Sequence, residues 1–578
     1  MNKIFLYLIL ISLSYSIFWS CANVTPPTGG PRDTIAPTRI LTIPLDKSIN
    51  YKGQTFTLEF DERIKTDKIK EQLIITPLIE SDYEYTIKKN IVKLSFEDPF
   101  QDSTTYTLNF RESIQDITEG NPTEENKFTF STGTYIDSMS INGYVKKLLT
   151  YDTIENIVVG LYLAEDTITI YDGSPYYFTE VQEDGSYLIE NIKNGKYLLY
   201  AFRDDNKNLQ LETNNEAYGF SQDTILLDSG LYTKNIDLIN LDLSEFRLMT
   251  ALASGQYFDI NMNKYIVDYS INPIDNTHSF LTNRAKENKT IRFYNNFNNI
   301  DSLQISFLAI DSISTEIADT VYVKFSQSSR KKEDFTVKAF PENNTSIDPL
   351  LKVRLEFNKP IVSVNTDSIY IQFDTTKIIQ IHDSIFIWNK LRDELTFNIE
   401  IDKSKADTIL NRRNRLQQIK KDSIETSNDQ PQIKKQISKD KKNEAPKLNT
   451  GLQLYFGTGS FFTADQDTST AIGYNYKFIV PEENGIQEIN IETDYTSFIL
   501  QLTNEKFDVI KEISNEKSIV LKNIKPGKYK IRVLVDENND GRWSLGNMKE
   551  QMEPEPVYIY PEVLIIRADW RTSLDITF

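Results

Sequence analysis

At 578 residues, with 39% hydrophobic and 25% charged side chains, the chain is ordinary globular material but too long for one hydrophobic core, so four or five folded units are expected. A net charge of −19 excludes nucleic acid as a partner held by charge, because phosphate backbones are repelled. Two histidines and one cysteine leave Cys/His catalysis and a His-rich zinc site without parts.

Lys3, the apolar run Ile4 to Trp19 and the small Ser20 have the layout of an export signal, too short for a membrane helix. The sole cysteine follows at once, and Phe18-Trp19-Ser20-Cys21 resembles a loose lipobox. That resemblance to bacterial lipoproteins implies a signal peptide over 1–20 and a lipidated Cys21, with two or more acyl chains giving firm attachment. Residues 21–37 then form the anchor and tether, with the Pro/Gly/Thr-rich spacer Ala22 to Arg32. Directly after Cys21 there is none of the acidic run that sends some lipoproteins of the Bacteroidetes type to the cell surface, so an outer-membrane anchor facing the periplasm is expected.

Over 38–134, Phe56 to Phe60, Ile91 to Phe96, Tyr106 to Phe110 and Lys127 to Phe130 alternate apolar with polar, as half-buried strands of a sandwich do. Leu58 to Ile64 (LEFDERI), Pro77, Thr104 to Phe110 (TTYTLNF), Asp116 with Asn121, and Phe128 to Gly133 (FTFSTG) resemble the bacterial Ig-like domain of the SbsA type. The resemblance implies a spacer or display unit and brings no catalytic residues.

Residues 135–236 hold a stretch, Ser186 to Asn208, that returns without a gap at Ser518 to Asp540. Both copies carry Asn-Ile-Lys (Asn191, Asn523), Gly-Lys-Tyr (Gly195, Gly527), Asp204 or Asp536, and Asn206 or Asn538, which predicts one β-unit used twice. Asp184-Gly185 and Asn194-Gly195 read as hairpin signals. With Ile141 to Val145 and Val158 to Leu163, they resemble the carboxypeptidase regulatory-like (prealbumin-like) sandwich.

A third β-sandwich is expected over 237–333 from Gln304 to Leu308 and Val321 to Phe325. Over 334–480 Val353 to Ile361 mirrors Leu58 to Ile64, which predicts a second Ig-like domain. Its interruption, 403–447, is rich in Lys and Arg and poor in aromatics, and reads as a disordered basic insertion with a short helix near Leu410 to Ile419. The second regulatory-like unit fills 481–578.

Asp536-x-Asn538-x-Asp540-Gly541 matches the first half of a calcium loop, with Ser544 at the ninth position and Glu553 or Glu555 to complete the shell. Asn547 stands where an EF-hand has its bidentate Glu, and an Asx-rich loop that makes its own turns without metal is the alternative. The first copy has Leu209 in place of the glycine. Asp-Ser/Thr-apolar triplets such as Asp223-Thr224-Ile225 and Asp383-Ser384-Ile385 resemble an O-glycosylation acceptor, and are also turns that lead into strands. Trp543, Tyr558, Tyr560 and Trp570 are candidates for a sugar or peptide platform, or for core packing.

The chain is thus read as all-β: tandem Ig-like and prealbumin-like β-sandwiches behind a lipoprotein signal peptide, strung by short linkers into an elongated, semi-rigid rod. The expected role is a non-catalytic envelope scaffold, attached to the membrane by its lipid and engaged with an outer-membrane protein assembly. A carbohydrate-binding or uptake accessory with a glycan partner is the alternative. Neither nucleic acid nor any cofactor besides calcium is expected.

Overall fold

A computed structural model describes residues 33–404 and 452–578, apart from 80, 214–215, 229, 275–279, 296–301, 327 and 374–375. The export signal, Cys21, the spacer, His278 and nearly all of the basic insertion with its expected helix lie outside the described residues. What is described is nearly all β, with an α-helix of a single turn at Ile69–Gln72.

In the first Ig-like unit the alternation decides the layers. Strand Thr55–Phe60 turns Phe56, Leu58 and Phe60 inward, and Ile91–Phe96 does the same with Val92, Leu94 and Phe96. The sheet runs Arg39–Ile43, Thr55–Phe60, Ile91–Phe96, Tyr83–Lys88, and faces Ile74–Thr76, Thr105–Asn109 and Lys127–Ser131 across a core of aromatic rings. Phe56 lies 4.8 Å from Phe130 between ring centroids, and Tyr106 stacks on Phe130 at 5.5 Å.

The same order returns in the fourth unit as Val337–Phe340, Leu350–Phe357, Glu394–Glu400, Ile387–Trp388. Its facing sheet includes Ile369–Phe373, Leu452–Phe456 and Ile472–Phe478. The insertion therefore enlarges one connection, between Glu394–Glu400 and Leu452–Phe456, that residues 97–104 make in the first unit. Between these units lies a sandwich of Leu248–Ser254, Tyr257–Met262, Thr290–Tyr294 and Leu281–Ala285 against Ile266–Pro273, Leu303–Asp311 and Glu316–Val323.

The two copies of the repeat share one topology. Met139–Lys147 pairs antiparallel with Ser186–Ile192 and parallel with Ile236–Leu238, as Gly485–Glu492 pairs with Ser518–Ile524 and Arg571–Thr577. The opposing sheets are built on Gly195–Arg203 and Gly527–Val535.

The hairpins expected at Asp184-Gly185 and Asn194-Gly195 do not form. The strands on either side of each turn belong to opposite sheets, so both turns carry the chain across the sandwich. Gly185 takes φ +85 there, where an added Cβ would come within 2.9 Å of the Val145 carbonyl oxygen. Before the second turn a positive φ falls inside the strand, on Asn191 at 58° and on Asn523 at 61° in the other copy, where the pairing register shifts; Asn tolerates that region.

The units do not string out into the expected rod. The second copy folds back on the first, and Leu534, Met548 and Val557 enter one apolar core with Val158, Phe202 and Tyr218. Ile74 of the first Ig-like unit and Ile313 of the third sandwich belong to that same core. Around it the Tyr151 hydroxyl donates to the Val557 carbonyl, Arg532 Nη1 to the Leu149 carbonyl at 2.9 Å, and Lys234 Nζ to Glu553 at 2.7 Å.

The third and fourth units meet at Asp465, a fourth-unit carboxylate that the buried Lys359 of the same unit holds at 2.7 Å and to which the Tyr257 hydroxyl of the third unit donates. Asn523 Nδ2 donates to Asp348 between the fifth and fourth units at 3.1 Å. Lys264 joins Asp311 to the Asp242 carbonyl where the second unit leads into the third. Four sandwiches thus close a ring, with the first Ig-like unit docked on its side. Short linkers limit distance between neighbours but not direction, and part of the apolar surface that closes the ring, Trp543, Leu545 and Met548, comes from a stretch that reads as a turn.

Replacing Met548, which is buried in the shared core, by Asp places a charge among apolar side chains. Met548→Asp is expected to split one cooperative melting transition into two and to enlarge the radius of gyration in small-angle scattering. An unchanged radius would show that this contact does not close the ring.

Candidate functional site

All five residues of the expected calcium site come together in one loop. Asp536 Oδ1 accepts the amide of Asp540, and its Oδ2 accepts the Gly541 amide at 3.0 Å and the Ser497 hydroxyl at 2.7 Å. Asn538 Oδ1 accepts from the Asp540 amide, Asp540 Oδ1 from Arg542, and Ser544 Oγ from Gly546. Glu555 takes the Glu537 amide on Oε1 at 3.0 Å and the Ser544 amide on Oε2 at 2.7 Å. Glu553 points elsewhere, to Lys234 and the Gln222 amide of the first copy.

The first copy repeats the arrangement. Asp204 accepts the amides of Asn208 and Leu209, and Asn208 accepts that of Gln210. Leu209, with φ 58, occupies the left-handed position that Gly541 fills with φ 87. Sequence reasoning missed Glu216, the counterpart of Glu555, whose Oε2 accepts the Glu212 amide at 2.7 Å. The signal was there: each glutamate stands two residues before the strand that pairs next to the repeat's long strand, Tyr218–Phe220 or Val557–Ile559.

The electrostatics of the two loops differ. Burial pushes the Asp204 and Glu216 carboxyls up despite their amide donors. The Ser497 hydroxyl, with the Gly541 and Asp540 amides, holds Asp536 below its ordinary value. The ring of N–H donors suits a carboxylate, and Asp536 and Glu555 already spend on amides and a hydroxyl most of the lone pairs a cation would draw on. Among the described residues no three His, Cys, Asp or Glu side chains are grouped as a metal site requires.

The aromatic platform is not assembled. Trp543 packs into the shared core and donates its indole N–H to the Glu555 carbonyl at 3.2 Å. Tyr558 stacks on Phe578 at 5.3 Å, while Trp570, 54% exposed, has Arg567 over its ring. Of the Asp-Ser/Thr-apolar triplets, Asp223-Thr224-Ile225 leads into strand Ile225–Leu227 with its hydroxyl residue exposed, and Asp383-Ser384-Ile385 forms an exposed 3₁₀ turn.

The clefts between the first Ig-like unit and the first copy include two lined by aromatic or charged side chains that could hold a ligand. The larger, about 560 Å³, is lined by Phe100, Tyr106, Tyr162, Tyr176 and Ile168, with Asp98 and Asp166 beside them. The smaller, about 240 Å³, has Arg111 paired with Glu180 in its wall.

In the Ig-like unit Asp116 is fully buried and receives the amides of Glu119 and Gly120 on Oδ1, and the amide and side chain of Asn121 on Oδ2. Burial alone would raise its carboxyl. The amides of Gly120 and Glu119 together with Asn121 outweigh it and hold Asp116 well below the usual carboxylate range.

Residues 33–132 match the bacterial Ig-like domain family. No curated protein matches the chain. Among solved structures, the major pilin subunit BcpA of Bacillus cereus is similar at 8% identity over 76% of this chain and 99% of the pilin, with a TM-score of 0.13. Domains 1–6 of the surface-layer protein SbsC are similar at 9% identity over 86% of this chain and 64% of theirs, with a TM-score of 0.13. SGBP-B of the Bacteroides ovatus mixed-linkage glucan utilization locus is similar at 8% identity over 75% and 95%, with a TM-score of 0.15. At scores this low the overlap is one of strand-rich chains and carries no functional argument.

Two measurements follow from this geometry. Because the loop carboxylates are satisfied by amides, neither millimolar calcium nor a chelator is expected to move the melting temperature. A rise of several degrees with calcium would instead place the ion on Asp536 and Glu555.

Asp116→Asn is expected to cost on the order of 2 kcal/mol at neutral pH by removing charge-assisted hydrogen bonds. A depressed folded-state pKa stabilises above the unfolded value near 3.9 and ceases to do so as pH falls through the folded one. The gap between parent and variant should therefore narrow below about pH 4.

Proposed function

We propose that this chain is a non-catalytic scaffold of the bacterial cell envelope, anchored in the outer membrane by a lipid on Cys21 and facing the periplasm, whose sandwiches present a fixed face to a membrane-protein assembly. The observation that carries the reading is the closed ring. Four units closed into a ring by a shared apolar core and by hydrogen bonds across the remaining seams make a broad, preorganised surface, and preorganisation lowers the ordering cost of binding. The family match over 33–132 fits an envelope or surface protein. The oxygen-rich loops support the reading too, since their carboxylates are committed to backbone amides and stand as struts.

The alternative, a carbohydrate-binding accessory, has one observation in its favour. The larger cleft between the first Ig-like unit and the first copy combines aromatic rings with carboxylates, the chemistry that holds a sugar face and its hydroxyls.

A tagged chain and its Cys21→Ala variant, each solubilised in mild detergent from their own membranes and captured, test the scaffold reading. An outer-membrane protein recovered with the parent and lost with the variant is the expected result. If the parent comes down alone and instead shifts in an affinity gel containing soluble polysaccharide, the accessory reading replaces it.

A further inference from the structure

The first strand of the N-terminal Ig-like unit, Arg39–Ile43, is an edge strand, hydrogen-bonded to Thr55–Phe60 on one side alone. Its register shifts between Arg39 and Leu41, and that irregularity leaves both Ile40 and Leu41 exposed. Ile43, Leu45 and Ile49 continue the stripe, and Ile35 precedes it at 72% exposure. Six aliphatic side chains thus face solvent within fifteen residues, and after Arg39 the strand has none of the lysines that usually guard a sheet edge.

The chain is pinned where this stripe begins. The Asp33 carbonyl accepts from Asn121 Nδ2 at 3.0 Å, and the Asp33 side chain accepts the Ile35 amide at 3.0 Å. Asp33 comes twelve residues after Cys21, a reach of at most about 40 Å. We infer that this apolar edge lies on the lipid bilayer, so that the N-terminal unit rests flat on the membrane. The inference rests on the anchor at Cys21 proposed above.

An acyl chain on Cys21 confines the strand near the bilayer, and apolar contact supplies the rest. With a net charge of −19 the chain gains nothing from anionic headgroups, so the contact is of the hydrophobic kind and insensitive to salt. The unit's other sheet is already covered by the first copy, where Asn191 Nδ2 donates to Thr107 and the Leu78 amide to the Tyr176 carbonyl. That leaves the edge as this unit's longest run of exposed aliphatic side chains.

The test uses the fact that Cys21 is the sole cysteine. Ile43→Cys and Leu45→Cys, each in the full acylated chain, take a nitrobenzoxadiazole label at one place; Val509→Cys, on an exposed strand of the terminal unit, is the control. In vesicles of phosphatidylcholine and phosphatidylethanolamine, labels at 43 and 45 are expected to emit further to the blue than at 509. They should also be quenched several-fold more by brominated lipid, equally in low and high salt.

Labels at 43 and 45 as water-exposed as at 509 overturn the inference. Protection in native membranes but not in protein-free vesicles also overturns it, by showing that a protein covers the strand. The mass of the N-terminal peptide reads acylation separately: an unmodified Cys21 sinks the anchor reading itself, whereas a modified Cys21 with exposed labels sinks only the docking.

Discussion

The apolar core shared by the two copies of the repeat is the constraint on which the arrangement depends. Each copy is a complete sandwich with its own interior, the first around Val159, Leu199 and Ala201 and the second around Leu500, Ile531 and Val533. The long strand of each nevertheless turns apolar side chains both ways, so that Phe202 and Leu534 look outward from their own sandwiches and meet in the joint core. A strand buried on both faces must find cover on both, and each copy covers the other. Fully burying one such side chain contributes about 1.5–3 kcal/mol, enough together to hold the ring.

The polar groups follow the same economy. Asp116, Asp204 and Asp536 sit at the starts of loops and gather backbone amides that would otherwise lack acceptors as the chain leaves a strand. Buried charge appears inside the units as well: Lys359 with Asp465, Lys264 with Asp311, and Arg292 with Asp259 and Glu333. Pairs of this kind add little net stability over apolar packing, but breaking one strands a buried charge, and Asp465, so held, is the acceptor that the Tyr257 hydroxyl of the third unit meets.

Much of the fold was legible because alternation is a local property. Thr55–Phe60, Ile91–Phe96 and Lys127–Ser131 stand where the pattern placed them, and the two copies share the topology that Asn-Ile-Lys and Gly-Lys-Tyr suggested. Pairing was less legible, since Asp184-Gly185 announces a turn without saying whether the strands it joins share a sheet. The ring was hidden for a different reason. Trp543, Leu545 and Met548 lie in a loop with no periodicity, so nothing in the sequence separates a surface turn from a docking face. At the candidate site the residues were found and their partners were not, because Asp536 and Glu555 bind amides whose direction is set by backbone torsions no side-chain pattern records.

The Tyr151 hydroxyl meets the Val557 carbonyl across 406 positions of sequence. A ribosome makes the first copy long before the residues that cover it. Phe202 and its neighbours must therefore wait, uncovered, while two further sandwiches emerge and fold. A newly made chain holds an adhesive surface for that interval, until the last unit arrives to seal it.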